Sequence, residues 1–123
     1  MTDVVIKSCG HLLTMDDAAR EMSGVDIRVS GGVVAEIGTG LTGAHQIDAS
    51  GCLVTPGLVN THHHLFQSLT RAVPQAQDAL LFGWLQTLYP IWARFGPEEV
   101  YVSALTGLAE LALSGCSLTS DHL

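Results

Sequence analysis

The sequence predicts an α/β protein in two parts, a β-rich part over residues 1–55 and a parallel β/α part over residues 56–123. Short β-type runs separated by glycines fill the first part. After Pro56-Gly57 the chain changes to an apolar strand, a long connection with helical patterns and a second strand. Strand, helix and strand in this order form the basic unit of a parallel sheet.

Composition and charge limit the classes of function. Of the 123 residues 47% are hydrophobic and 14% are charged, which predicts a folded core. The net charge of −7, with only five Lys and Arg, argues against nucleic acid or an anionic membrane surface as a partner. No targeting signal and no apolar run of membrane-spanning length is present.

The cysteines indicate a reducing compartment. Cys9, Cys52 and Cys116 are odd in number and widely spaced, without a CxxC pair. We therefore predict reduced thiols that are buried as small hydrophobic side chains, in a cytoplasmic protein.

The first part contains one well-defined hairpin. Residues 25–29 alternate apolar and polar side chains, as a half-buried strand does. Gly31 and Gly32 separate this run from a second one at residues 33–37, and a glycine pair favours a tight turn. Further short strands are predicted at residues 4–6, 46–48 and 52–54, and no helix is predicted before residue 56.

The second part begins with a strand at residues 58–61 and an irregular stretch at residues 65–77. A helix is predicted at residues 78–88, with Pro90 breaking or kinking it. Pro97 and Gly115 mark the start and stop of a second helix. Its apolar residues have i, i+3, i+4, i+7 spacing and predict one buried stripe: Tyr101, Ala104, Leu105, Leu108, Leu111 and Ala112.

The last predicted strand covers residues 116–122. A sheet of two parallel strands with so few helices cannot cover its own faces. We therefore expect the chain to be truncated, with further strands and helices supplied by a missing part.

Three consecutive histidines follow the strand at residues 58–61. In an extended chain residues two apart point to the same side, so His62 and His64 project together and His63 points away. In parallel α/β barrels the active site lies at the carboxyl ends of the strands. Two imidazoles at such an end can bind one divalent metal, and imidazole suits zinc or iron.

The residues around this motif carry a specific resemblance. Residues 47–64 (IDASGCLVTPGLVNTHHH) resemble the segment that leads into the first barrel strand of the amidohydrolase superfamily. The hairpin at residues 25–38 is similar to the N-terminal β domain of that superfamily. Asn60 stands where many members carry Asp, as is common in the branch of chlorotriazine hydrolases and aminohydrolases.

The resemblance implies a fold and a metal site. The fold is the N-terminal part of a TIM-like (β/α)8 metallo-hydrolase barrel with an appended β-sandwich. Residues 1–55 then belong to the sandwich, and residues 56–123 form the first strands and helices of the barrel. His62 and His64 become ligands of one divalent metal, zinc first and Fe²⁺ second, and the catalytic acid–base residues are expected beyond residue 123.

Finer features are similar to 8-oxoguanine deaminases, and at fewer positions to hydroxyatrazine and guanine deaminases. They comprise residues 60–72 (NTHHHLFQSLTRA), the pairs Trp84-Leu85 and Ile91-Trp92, Gly115-Cys116, and Asp121-His122-Leu123. The activity that this implies is hydrolytic deamination of a purine base, with 8-oxoguanine converted to urate and ammonia. Gln67 is the candidate substrate-binding residue, because its amide both donates and accepts hydrogen bonds.

Other conspicuous residues receive structural interpretations. Trp84 and Trp92 are expected in core or dimer-interface packing rather than in substrate stacking. For His122 we expect a hydrogen bond to the backbone at a strand end, and for Arg71 a solvated position on the loop. His11, His45 and His63 receive no role.

Three alternatives stay open. The enzyme could act on guanine, on a triazine such as hydroxyatrazine, or on a nucleoside. The chain could belong to a non-catalytic relative that keeps the fold for assembly. It could also be a complete small metal-binding module, although structural zinc sites take four ligands. The expected partner is a small heterocyclic substrate, and the full-length protein is expected to form a homo-oligomer.

Overall fold

The computed structural model describes residues 3–122, so Leu123, the last residue of the Asp121-His122-Leu123 segment, lies outside the described residues. The chain folds as two compact units, Met1–Pro56 and Gly57–Leu123. Each unit is described by itself below.

Within residues 3–56 the first unit has seven short strands in two sheets. The strands are β1 (Val4–Cys9), β2 (His11–Leu13), β3 (Glu21–Met22), β4 (Val25–Ser30), β5 (Val33–Gly38), β6 (His45–Asp48) and β7 (Leu53–Val54). One sheet has the order β5-β4-β1-β6, and the other has the order β3-β2-β7. Strand β1 pairs antiparallel with β4 and parallel with β6.

The predicted hairpin is confirmed. Strands β4 and β5 pair antiparallel, with Ser30 opposite Val33. Gly31 and Gly32 both have positive φ, 61° and 85°, which only glycine adopts without strain. The sequence did not predict β2 and β3, because runs of three and two residues show no periodicity.

Among the described residues one buried cluster forms the centre of the first unit: Cys9, Leu12, Val25, Ile27 and Ala49. The prediction that all three cysteines are buried is wrong, because Cys52 is exposed and Cys116 is only half-buried. All three thiols are free.

A buried carboxylate joins three segments of this unit. Asp26 is 3% exposed and accepts hydrogen bonds from the Lys7 ammonium and from the backbone N–H groups of Ser8 and Leu41. These donors, the Lys7 ammonium first, lower the pKa of Asp26 to about 2.

The second unit places two parallel strands beside two α-helices. In chain order it contains β8 (Leu58–Asn60), 3₁₀ helices at Leu65–Thr70 and Pro74–Ala76, α1 (Leu81–Trp92), α2 (Pro97–Leu113) and β9 (Cys116–Thr119). Strands β8 and β9 pair in parallel, as predicted. The stretch predicted as irregular, residues 65–77, instead contains the two 3₁₀ helices.

Helix α1 differs from the predicted residues 78–88 at both ends, since it begins at Leu81 and ends at Trp92. Helix α1 continues through Pro90 to Trp92, so the proline does not end it. Helix α2 begins at Pro97 as predicted, and the backbone N–H of Gly96 donates to Glu99 Oε2 at 2.8 Å. Gly115 follows its end with φ 82°, the left-handed conformation expected after a helix.

The prediction of the buried face of α2 is wrong. Tyr101 is 66% exposed and Leu105 is 54% exposed. The buried residues of α2 are Ser103 and Gly107, which pack against the 3₁₀ helix Leu65–Thr70. Because Ser103 and Gly107 are not large apolar residues, the periodicity of the apolar residues could not identify this face. Within residues 3–122 neither α1 nor α2 is long and apolar enough to cross a bilayer.

Candidate metal centre

The three histidines lie just beyond the end of β8. The strand ends at Asn60, one residue earlier than predicted, and the histidines continue in irregular backbone. The Asn60 side chain stabilises this turn, because its Oδ1 accepts the backbone N–H of His62 at 3.0 Å. The Thr61 carbonyl accepts the Ser120 hydroxyl at 2.6 Å, so the segment after β9 supports the same backbone.

The imidazoles of His62 and His64 lie together. Their ring centroids are 5.0 Å apart, with the rings nearly perpendicular. The ring of His122 stacks on His62 at 5.0 Å and lies 5.9 Å from that of His64. The structure therefore brings the two ligand candidates and His122 into one cluster at the ends of two neighbouring strands.

The orientation of His64 suits a metal ligand. Its Nδ1 lies 2.6 Å from the backbone carbonyl oxygen of His122. A carbonyl only accepts, so Nδ1 carries the hydrogen and the lone pair remains on Nε2. Histidines that bind metals commonly donate their second ring nitrogen in this way, which fixes the tautomer and the ring orientation.

His122 acts here mainly through its backbone. Besides accepting from His64, it donates its backbone N–H to the His63 carbonyl at 2.8 Å. Its own Nε2 is 3.5 Å from the Thr61 carbonyl oxygen and 3.4 Å from Ser120 Oγ. The expected side-chain bond to the backbone is therefore long, and the carbonyl of His122 is its stronger contribution.

Two histidines are an incomplete ligand set. In the described part of the chain no group of three or more His, Cys, Asp or Glu side chains is arranged to hold a metal. Zinc sites use at least three protein ligands. His62 and His64 fit one side of such a site and need further ligands.

A shallow depression surrounds the histidines. Its lining consists of His62, His63, His64, Gln67, Ser68, Arg71 and Glu110. Arg71 Nη1 lies 2.6 Å from Glu110 Oε2, so Arg71 pairs with α2 in addition to being exposed on its loop. His63 Nδ1 is buried and has no hydrogen-bond partner within residues 3–122.

An aromatic cavity of about 380 Å³ also borders His64. Its lining consists of His64, Phe66, Gln67, Leu81, Trp84, Leu85, Tyr89 and Trp92. Trp92 is central, because Phe66, Trp84 and Tyr89 pack edge-to-face on it with centroid distances of 5.2–5.5 Å. Trp84 and Trp92 are half-buried and form part of a cavity wall, whereas the sequence predicted them in core or dimer-interface packing.

Gln67 lies where the two spaces meet. It is half-buried, lines both the depression and the cavity, and its backbone N–H donates to the His64 carbonyl at 3.0 Å. No sequence pattern singled out Phe66, Tyr89 or Asp121 as individual residues. Asp121 Oδ1 accepts the backbone N–H of Leu65 at 2.9 Å, and only a contact between distant segments shows this.

Comparison with known proteins supports the sequence resemblance. Residues 53–123 match the amidohydrolase family. The chain is 54% identical over 79 residues, 64% of its length, to 8-oxoguanine deaminase of Pseudomonas aeruginosa. It is 43% identical over 112 residues, 89% of its length, to an isoxanthopterin deaminase from an unknown prokaryotic organism.

Solved structures show the same backbone arrangement. An atrazine chlorohydrolase from Arthrobacter aurescens, complexed with zinc, superposes with a TM-score of 0.86 at 29% identity over 96% of the chain. The chain spans only a part of all these proteins: 18% of the 8-oxoguanine deaminase, 23% of the isoxanthopterin deaminase and 28% of the chlorohydrolase.

Proposed function

The chain belongs to the amidohydrolase family, and from this membership we propose that the protein containing it is a metal-dependent hydrolytic deaminase of a purine base. The proposed substrate is 8-oxoguanine first and guanine second. One observation carries the proposal: the metal-ligand candidate His64, the amide of Gln67 and a wall of aromatic rings share one cavity.

The proposed metal ligands are His62 and His64, binding one divalent ion, zinc first and Fe²⁺ second. The Nδ1 contact of His64 with the His122 carbonyl supports this role, because it leaves Nε2 available. When bound, a divalent metal supplies Lewis acidity and lowers the pKa of a water ligand toward about 7. Further ligands and the acid–base groups are expected in segments that the relatives have and this chain does not cover.

The residues of this chain would bind and orient the substrate. A flat heteroaromatic ring fits a wall formed by Phe66, Trp84 and Trp92, and stacking of a base on an aromatic side chain is worth about 1–3 kcal/mol. The amide of Gln67 offers one donor and one acceptor group to the edge of a purine.

A triazine hydrolase is the second candidate. The similarity to the atrazine chlorohydrolase favours it, since a triazine is also a flat, electron-poor ring. The 54% identity to 8-oxoguanine deaminase supports the purine more strongly. A nucleoside aminohydrolase and a non-catalytic assembly protein remain further alternatives, and the homo-oligomer and the cytoplasmic location stay predictions from the sequence.

The experiment measures ammonia release by the protein as its gene encodes it. The panel contains 8-oxoguanine, guanine, hydroxyatrazine, cytosine and adenosine-type nucleosides. We expect turnover of 8-oxoguanine and, more slowly, of guanine. Fast turnover of a triazine or a nucleoside, with none of either purine base, would establish one of the alternatives instead.

Variants test the residue assignments in the same assay. His62→Ala combined with His64→Ala should abolish bound metal and activity, whereas His45→Ala, an exposed histidine of β6, should change neither. Gln67→Ala should lower kcat/KM by about ten- to a hundredfold with the metal retained, because a buried polar contact is lost. Gln86→Ala on the exposed face of α1 is its matched control. Full metal content in the double histidine variant would refute the metal assignment.

A further inference from the structure

The buried face of α2 is unusual because it is small and polar. Its two buried residues, Ser103 and Gly107, are one helical turn apart, while the leucines of the same helix are largely exposed. What packs on this face is the 3₁₀ helix Leu65–Thr70, hereafter the 3₁₀ segment. The 3₁₀ segment begins directly after His64 and contains Gln67.

The hydroxyl of Ser103 holds the backbone of the 3₁₀ segment. Its Oγ lies 2.8 Å from the Leu65 carbonyl oxygen and 2.7 Å from that of Phe66, and it accepts the backbone N–H of Leu69 at 3.2 Å. A hydroxyl has one hydrogen, so it donates to one of the two carbonyls at a time. Ser103 is 0% exposed, so water cannot replace these contacts when the hydroxyl is removed.

Two further contacts on the same face fix the distance between α2 and the 3₁₀ segment. A Cβ on Gly107 would lie 2.7 Å from Leu65 Cδ2 and 2.8 Å from Ser68 Oγ, so the absence of a side chain allows the close approach. One turn further, Glu110 pairs with Arg71, the residue that follows the 3₁₀ segment. Positions 103, 107 and 110 form one helical face that contacts the segment along its length.

From these contacts we infer that Ser103 is the positioning residue for substrate recognition: its hydroxyl holds the 3₁₀ segment so that Gln67 faces the aromatic cavity. The inference rests on the proposed function, in which Gln67 binds the substrate. Ser103 itself lines neither the cavity nor the depression around the histidines. The orientation of His64 depends instead on the carbonyl of His122. Loss of the Ser103 hydroxyl therefore acts on Gln67 and leaves the metal ligands in place.

The test uses Ser103→Ala in the protein as its gene encodes it. We expect unchanged metal content and a kcat/KM for 8-oxoguanine that falls about tenfold, through a higher KM more than a lower kcat. Backbone amides of residues 65–70 should exchange hydrogen faster, since the Leu69 N–H loses its acceptor. Thr106→Ala is the matched control, because this exposed hydroxyl of α2 donates to the Val102 carbonyl of its own helix and, within residues 3–122, makes no hydrogen bond to the 3₁₀ segment. It should leave the metal content, the kinetics and the exchange unchanged.

A double-mutant cycle separates positioning from general destabilisation. If Ser103 acts through Gln67, Ser103→Ala should lower kcat/KM much less in the Gln67→Ala background than in the parent protein. Equal losses in both backgrounds, or loss of metal in Ser103→Ala, would overturn the inference. Ser103→Cys, which is slightly larger and keeps a weak donor, should give an intermediate KM and replaces Ser103→Ala if the alanine variant does not fold.

The exchange measurement distinguishes the two proposals. If the parent protein releases no ammonia from any compound of the panel, the proposed function is contradicted but the role of Ser103 is not. Hydrogen exchange of the backbone amides of residues 65–70 in Ser103→Ala then decides whether Ser103 holds the segment. Exchange in Ser103→Ala that equals the parent's contradicts the inference whatever the substrate is.

Discussion

Gly107→Ala tests how closely α2 and the 3₁₀ segment approach. Gly107 lies in the middle of α2 without a positive φ, so its backbone accepts alanine. In an unobstructed helix, replacing glycine with alanine would stabilise the protein by about 0.5–1 kcal/mol. Here the added methyl group would meet Leu65 Cδ2 at 2.7 Å and Ser68 Oγ at 2.8 Å, both shorter than any ordinary contact.

The magnitude depends on what can move. The Ser68 hydroxyl is half-buried and can rotate to another staggered position, whereas Leu65 is 4% exposed and must displace its neighbours. Overpacking of this kind costs about 1–3 kcal/mol. The stabilisation of the helix by alanine offsets a part of this cost. We therefore expect Gly107→Ala to lower the free energy of unfolding by up to about 2 kcal/mol. The same displacement of the 3₁₀ segment should raise KM.

Gly83→Ala in α1 is the matched control. A Cβ there meets only Ala79 Cβ at 3.8 Å, an ordinary contact, so the variant should gain at most about 1 kcal/mol. Urea unfolding followed by tryptophan fluorescence suits the measurement, because Trp84 and Trp92 lie in the same unit as α2. Equal stabilisation by both alanines would show that α2 and the 3₁₀ segment are not in close contact, and the reasoning on Ser103 would lose its geometric basis.

Two further predictions concern the buried polar groups. The pKa of Asp26 is lowered to about 2 in the folded protein, so the ionised carboxylate stabilises the first unit. This stabilisation is fully present above the pKa of about 3.9 that Asp has in the unfolded chain, and it is lost as the pH falls toward about 2. Asp26→Asn should therefore lower the thermal midpoint at pH 7 and flatten its decline in acid, while Asp17→Asn, an exposed control, should leave the curve unchanged. Trp92→Phe should lower the free energy of unfolding by about 1 kcal/mol, because the 2.9 Å hydrogen bond from Nε1 to Thr70 Oγ1 is lost. Trp92→Ala should lower it by about 3 kcal/mol, because the ring packing is lost as well. Equal losses for both variants in urea unfolding would contradict the central role of the indole.

The parts of the fold that the sequence predicted are those with a strong local signal. The β4–β5 hairpin follows from alternation and a glycine pair, and α2 follows from Pro97 and Gly115. Because of Pro90, the sequence predicted that α1 ends at residue 88, four residues before its observed end at Trp92. A proline inside a helix removes one backbone hydrogen bond and crowds the carbonyl of the residue four positions earlier. Packing of Trp92 on three aromatic rings stabilises the turn that contains Pro90 and offsets this cost.

For the site, sequence spacing indicated which histidines lie together but not what orients them. The pairing of His62 with His64 follows from a two-residue period. The partners of His64 and of the 3₁₀ segment are distant in sequence: His122 is 58 residues from His64, and Ser103 is 38 residues from Leu65. Such contacts depend on the register between β8 and β9 and on the docking of α2, and neither of these follows from a local pattern.

The segment that follows β9, residues 120–122, holds the backbone of the candidate site at several positions. Ser120 N–H bonds to the Asn60 carbonyl, His122 N–H to the His63 carbonyl, and Asp121 Oδ1 accepts Leu65 N–H. These bonds continue the β8–β9 pairing past the last strand residues and hold the backbone on both sides of His64. The imidazole of His64 is thus oriented by protein contacts alone, so less conformational entropy is lost when a ligand binds its Nε2.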